Sequence, residues 1–303
     1  SDKTGESWEI SAVENNVSVV ANGFLEGNTL QELIEIYMGD LVGEKLFKKF
    51  GIEFPLLIKY IDANDVLSVQ VHPDDTLAKK RHNAYGKTEM WYVIDAEPEA
   101  QLISGFKKEL TKQEYANHLE QGTLEKVLNF EPVKAGDVFY MPSGRVHAIG
   151  AGIVLAEIQQ TSDVTYRIFD WNRKDEKGQG RELHTELAMD AIDFSVQKEY
   201  RTHYENKPNE PAPIVKSSYF STNKLILDKP LERDFHEIDS FKIYMCLEGA
   251  ATLICDEHTQ EKLSKGETVL IPASFEHIEL SPVGQTTLLE VYVEDIQAKD
   301  KAL

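Results

Sequence analysis

Twice in this chain a glycine is followed by five residues, a proline, four residues and a histidine: "GDVFYMPSGRVH" from Gly136 to His147, and "GETVLIPASFEH" from Gly266 to His277. A glycine turn, a five-residue strand, a proline turn and a histidine opening the next strand make one β-unit, and its recurrence in the same register marks an internal repeat. Around both copies lie short β-rich runs bounded by Gly, Pro, Asn and Asp, among them "PLLIKYI", "VLSVQVH", "EMWYVID", "DVFYMP", "IVLAEIQQ" and "TYRIFDW". Many short, punctuated strands predict an all-β sandwich or closed barrel. Helical periodicity is confined to Thr29–Tyr37, Thr111–Asn129 and Glu182–Phe194, each with a threonine or acidic residue near its start. The stretch "YRTHYENKPNEPAPIVKSS" reads as a linker, which predicts a first domain over 1–200, a linker over 201–218 and a second domain over 219–303.

The balance of 32 basic against 52 acidic residues gives a net charge of -20. That charge opposes attraction to phosphate backbones and anionic membranes, so neither nucleic acid nor membrane is expected as a partner. No apolar run approaches the ~18 residues of a membrane span, and the first residues show no secretory pattern. Cys246 and Cys255 each fall in an apolar run and are expected as two buried free thiols, which suits a cytoplasmic location. The oligomeric state is not legible.

Strand side chains alternate, so in "VLSVQVH" Leu67, Val69 and Val71 face one way and Ser68, Gln70 and His72 the other. Taken alone this is an antiparallel strand with a solvated face. In "GKTEMWYV" the same parity groups Lys87, Glu89 and Trp91, and His147 closes the first Gly-to-His motif. Gln70, His72, Glu89 and His147 together offer two imidazole nitrogens and two oxygens from three strands, a donor set suited to a zinc-like ion with a position left open.

The Gly-to-His motif is also the second sequence motif of the cupins, small jelly-roll barrels, although general cupins carry a histidine where this chain has Gln70. With that departure the chain resembles the type I mannose-6-phosphate isomerases, short bacterial form. The resemblance runs through "GESWEIS", "VANG", "PLLIKYIDANDVLSVQVHPDD", "GKTEMWYV", "GDVFYMPSGRVHAIGAGIVLAEIQQTSDVTYRIFDWNR" and "RELH". It implies a double jelly-roll, or bicupin, with the metal site in the N-terminal barrel. It also implies a zinc-dependent enzyme, one Zn2+ per chain, that interconverts mannose 6-phosphate and fructose 6-phosphate through an enediolate. By the same resemblance Gln70, His72, Glu89 and His147 bind the metal, and Arg167 is the catalytic arginine. Glu157 and Asp163 lie near the sugar, and Ser68, Lys59 and Lys87 lie at the substrate and its phosphate. The general base stays open between Glu157, Asp163 and a zinc-bound hydroxide.

Two rival readings share the fold: a cupin that binds a sugar phosphate without turning it over, and an iron-dependent cupin oxygenase, for which Gln70 is a poor ligand. Upstream of His277 the stretch "FKIYMCLEGAATL" holds no Gln-x-His or His-x-His pair. His277 is therefore expected to be structural or a vestige, with no second metal.

Overall fold

The computed structural model describes residues 5–294 and is mostly β, with twenty strands against five α-helices and one 3-10 turn among the described residues. Contacts divide it into two units, residues 5–7 with 58–202, and residues 8–57 with 203–294.

In the first unit the strands Leu56–Ala63, Ile153–Gln160, Glu89–Ala96, Val138–Met141 and Arg201–Thr202 are successive neighbours in a six-stranded sheet. A second sheet runs Tyr166–Phe169, Val69–Val71, His147–Ala148, Gln101–Phe106, Leu128–Pro132. Trp91, Val93, Phe139 and Leu155 of the larger sheet share a core with Leu102 of the smaller. The other face of the smaller sheet is covered too, because Val69, Val71, Ile103 and Ile168 pack with Tyr115 of helix Lys112–Glu120 and Ala188 of helix Thr185–Ala191. Burying each valine contributes about 1.5–3 kcal/mol. The helices thus hold the apolar face of Val69–Val71, and its polar face is left to the space between the sheets.

All three expected helices form, with shifted ends: the first runs on to Val42, the second stops at Glu120, and the third is shortened to Thr185–Ala191. Thr29 and Thr111 each close a capping box, with Glu32 and Glu114, and open helices Leu30–Val42 and Lys112–Glu120. The second was expected to reach Asn129, but Gly122 adopts a left-handed φ of 64°, and the chain continues as a 3-10 turn and the strand Leu128–Pro132. Helix Asp75–His82 was not expected; the Asp74 carboxylate caps it at Leu77 N, 2.7 Å away.

The second unit has a sheet ordered Ala212–Lys216, Ser221–Leu227, Thr286–Tyr292, Lys242–Glu248, Thr268–Ile271, and another ordered Leu231–Asp234, His277–Pro282, Ala250–Ile254, Gln260–Ser264. Residues expected as linker carry strands at Arg201–Thr202 and Ala212–Lys216, paired with Val138–Met141 and Ser221–Leu227. Residues 8–57 belong with this unit for physical reasons. Ala273 N and Ser274 N donate to Leu41 O and Asp40 O, Phe54 packs on Phe241 at 4.5 Å, and the Asp239 carboxylate caps helix Glu44–Phe50 through the N–H groups of Glu44 and Lys45. Neither cysteine is in a disulfide; Cys246 is buried and Cys255 half-buried, and burial pushes each thiol up to about 11.

Candidate active site

Gln70, in the middle of Val69–Val71, pairs with His147 on one side and Arg167 on the other. Glu89 opens the strand Glu89–Ala96 in the facing sheet. Its carboxylate lies between two imidazoles, with Oε2 3.5 Å from His72 Nε2 and Oε1 3.3 Å from His147 Nε2. Among the described residues these three form the one group of His, Cys, Asp or Glu ligand atoms close enough to share a metal ion.

The rings are held ready for that. His72 Nδ1 donates to Val164 O at 3.0 Å and His147 Nδ1 to Arg145 O at 2.8 Å, which leaves each Nε2 unprotonated and turned toward Glu89. Burial, with the Lys87 ammonium nearby, keeps both imidazoles neutral, His72 well below its usual range and His147 down to about 4. Burial and the neighbouring Glu157 charge push Glu89 up to about 8, against the pull of Lys87 and Lys59. His72 Nε2 and both Glu89 oxygens are buried without a hydrogen bond. An orphaned buried group costs about 1–3 kcal/mol, and a bound cation satisfies all three at once. The donor set therefore fits a divalent metal such as zinc. Gln70 turns Nε2 toward His147 Nε2 at 3.3 Å, and a half-turn of its amide presents the oxygen instead.

Beside this group lies a buried charge assembly. Lys87 Nζ is 3.8 Å from Glu89, and Lys59 Nζ is 3.2 Å from Glu157 and 3.6 Å from Glu6. Trp91 N–H donates to the other Glu157 oxygen at 2.9 Å, while its ring stands edge-on to His147. Burial alone would raise Glu157, but Lys59 and Lys87 outweigh it and hold the carboxyl below its usual range, as an anion.

Arg167 reaches in from Tyr166–Phe169, donating from Nε to Ser68 Oγ at 3.3 Å and from Nη1 to Glu182 O at 3.0 Å. Of the residues singled out by sequence, Asp163 alone is not drawn in, and its side chain is exposed. Sequence reasoning missed the buried Asp170, which gathers Arg173 and Arg181 next to Arg167, and gave Trp91 no role although it sits two residues beyond Glu89 on the same face.

Mannose-6-phosphate isomerase ManA of Bacillus subtilis is 38% identical over 278 residues, 90% of this chain and 84% of its own. The chain belongs to the type I phosphomannose isomerase family. The family model for the type I phosphomannose isomerase catalytic domain matches residues 1–118, and that for the mannose-6-phosphate isomerase cupin domain matches 212–293. Mannose-6-phosphate isomerase of Streptococcus mutans is 47% identical over 192 residues, 63% of this chain and 59% of its own. The crystal structure of the mannose 6-phosphate isomerase from Bacillus subtilis superposes with a TM-score of 0.85 at 34% identity, covering 97% of this phosphomannose isomerase family chain and 91% of that one. His72 and Glu89 lie inside the first matched range, and His147, Glu157 and Arg167 fall between the two.

Proposed function

We propose that the protein interconverts mannose 6-phosphate and fructose 6-phosphate through an enediolate, as a zinc enzyme with one buried ion per chain. The observation that carries this reading is the unbonded, buried set of His72 Nε2 and the Glu89 oxygens, beside an anionic Glu157, in a chain of this family. His72, Glu89 and His147 would hold the ion, with the Gln70 amide as a fourth donor once turned. When bound there, zinc supplies a Lewis acid for the oxygens of the reacting carbons.

The rest of the chemistry belongs to side chains. Moving a proton between C2 and C1 requires an anionic base in a dry site, and Glu157 meets both conditions, whereas Asp163 is exposed to water. Lys59 and Trp91 occupy one oxygen each and keep that carboxylate charged and oriented. Arg167, which never gives up its proton, offsets the negative charge of the enediolate, and its bond to Ser68 aims it. Lys87, Ser68 and the Arg173–Asp170–Arg181 group give the phosphate a local positive field inside a protein of net charge -20. A module that only bound sugar phosphate would have no use for a charged carboxylate held by Lys59 and Trp91.

By the same reading each two-sheet unit is a jelly-roll barrel, the first catalytic and the second metal-free. Two cysteines outside any disulfide fit a reducing, cytoplasmic setting. Isomerase activity on mannose 6-phosphate is expected to vanish on chelation and return with zinc; no turnover in metal-replete protein would refute the proposal.

Metal loading should also release a proton. At pH 7 the metal-free site keeps a proton on Glu89, raised to about 8, while both imidazoles are already neutral. Calorimetric titration with zinc at pH 7, in buffers of different ionisation enthalpy, should show close to one proton expelled. Below about pH 8 the apparent affinity should fall roughly tenfold per pH unit. A pH-independent affinity between 6 and 8 would mean that Glu89 either is already ionised in the metal-free site or is not a ligand.

A further inference from the structure

Apart from Tyr166–Phe169 and Arg201–Thr202, the strands of the first unit have counterparts in the second in the same order, and the registers align the candidate site with the second unit residue by residue. Gln70 faces His147 as Asp234 faces His277, which puts His236 in the place of His72. Glu89 faces Met141 and Gln159, as Lys242 faces Ile271 and Tyr292. Trp91 faces Glu157 as Tyr244 faces Glu290, and in both pairs the aromatic donor bonds the carboxylate at 2.9 Å. Where the first unit has its carboxylate ligand, the second has a lysine.

We propose that Lys242 is the structural cation of the second unit, its ammonium tying together the three strands whose counterparts the metal ties in the first. This rests on the assignment of His72, Glu89 and His147 as metal ligands. Lys242 is fully buried, and Nζ donates to Phe275 O at 2.8 Å and Ala273 O at 3.3 Å, both in the connection leading into His277–Pro282. The same ammonium sits 5.0 Å from the ring centroid of Phe235, the residue after Leu231–Asp234. Those two strands are the counterparts of His147–Ala148 and Val69–Val71. An ammonium takes carbonyl oxygens and an aromatic face where a transition metal takes imidazoles. The histidines are accordingly not needed inside. His236 and His277 are 61% and 71% exposed and turn to Asp234, at 3.0 and 3.7 Å. Burial brings Lys242 down only to about 8, so it is a cation at pH 7. Glu290 is neutralised separately, by the fork of Arg233 at 2.8 Å.

Metal content and thermal unfolding of the full chain test this. Wild type and His277→Ala are each expected to hold one equivalent of zinc. Lys242→Met is expected to melt roughly 5 °C or more below wild type, with metal and after chelation alike, because the lysine acts without the ion. If Lys242→Met does not fold, Lys242→Gln, which keeps a donor but not the charge, should show the same loss. Two equivalents in wild type falling to one in His277→Ala would overturn the proposal, as would a Lys242→Met or Lys242→Gln midpoint equal to wild type. A wild type with no metal but a destabilised Lys242→Met would instead overturn the metal assignment and leave Lys242 as the structural cation.

Discussion

His72→Ala is expected to purify without metal and without isomerase activity. The substitution removes one of the two buried imidazoles that face Glu89, and with it the Nδ1 donor to Val164 O. Structural zinc sites bind with about 10–16 kcal/mol. Losing one of three or four donors should therefore cost several kcal/mol, enough to lower affinity by about a thousandfold or more. The remaining Glu89 oxygens stay buried beside Glu157, so the carboxyl should remain protonated near neutral pH and compete poorly for the ion. Elemental analysis of protein dialysed against buffer decides this. A variant that kept a full equivalent would show that the ion is held elsewhere.

Arg167→Ala should separate turnover from metal binding. The guanidinium contacts Ser68 and Glu182 and none of His72, Glu89 or His147, so metal content should stay near one equivalent. Loss of a preorganised charge at a developing oxyanion costs about 2.7–4 kcal/mol, which predicts a turnover some 10²–10³ lower. The local fold should survive, because the two bonds between Arg167 and His184 use the Arg167 backbone N and O and not its side chain. Arg167→Lys should recover only part of the rate, since an ammonium cannot reproduce the two-sided reach of the fork. Metal loss in the alanine variant would assign Arg167 to the metal site instead.

The proposed ligand set is legible in the sequence because period-two alternation gives side-chain direction without any knowledge of the fold. Ser68 and His72 share a buried face as parity requires, and so do Lys87, Glu89 and Trp91. What alternation cannot give is depth. That the polar face of Val69–Val71 is interior follows from helices Lys112–Glu120 and Thr185–Ala191 covering the opposite face, and those helices lie elsewhere in the sequence. For the same reason the sequence places residues 8–57 in a first domain over 1–200 while their contacts lie with the second unit, since Asp239 and Ala273, which hold their helices, lie some two hundred residues away. Glu157 and Asp163 looked equivalent as carboxylates in one motif, and only burial distinguishes them. The Asp234–Phe235–His236 counterpart of Gln70–Val71–His72 is not evident in the sequence because it lies ahead of "FKIYMCLEGAATL" and carries an aspartate in place of Gln70.

The strand that supplies Gln70 is three residues long, too short for ladder bonds alone to hold its place against sliding. Its approach is pinned by other means: Leu67 N donates to Ile149 O, Trp171 N–H to Leu67 O, and Arg173 to Val66 O. A slip of one residue turns every side chain to the opposite face, placing Val69 and Val71 in the pocket and Gln70 and His72 under the helices. The number of residues between Ala63 and Val69 is therefore constrained whatever their kind at the exposed positions. The exposed Asn64 can change identity, but a single-residue insertion or deletion there would exchange the pocket for the core.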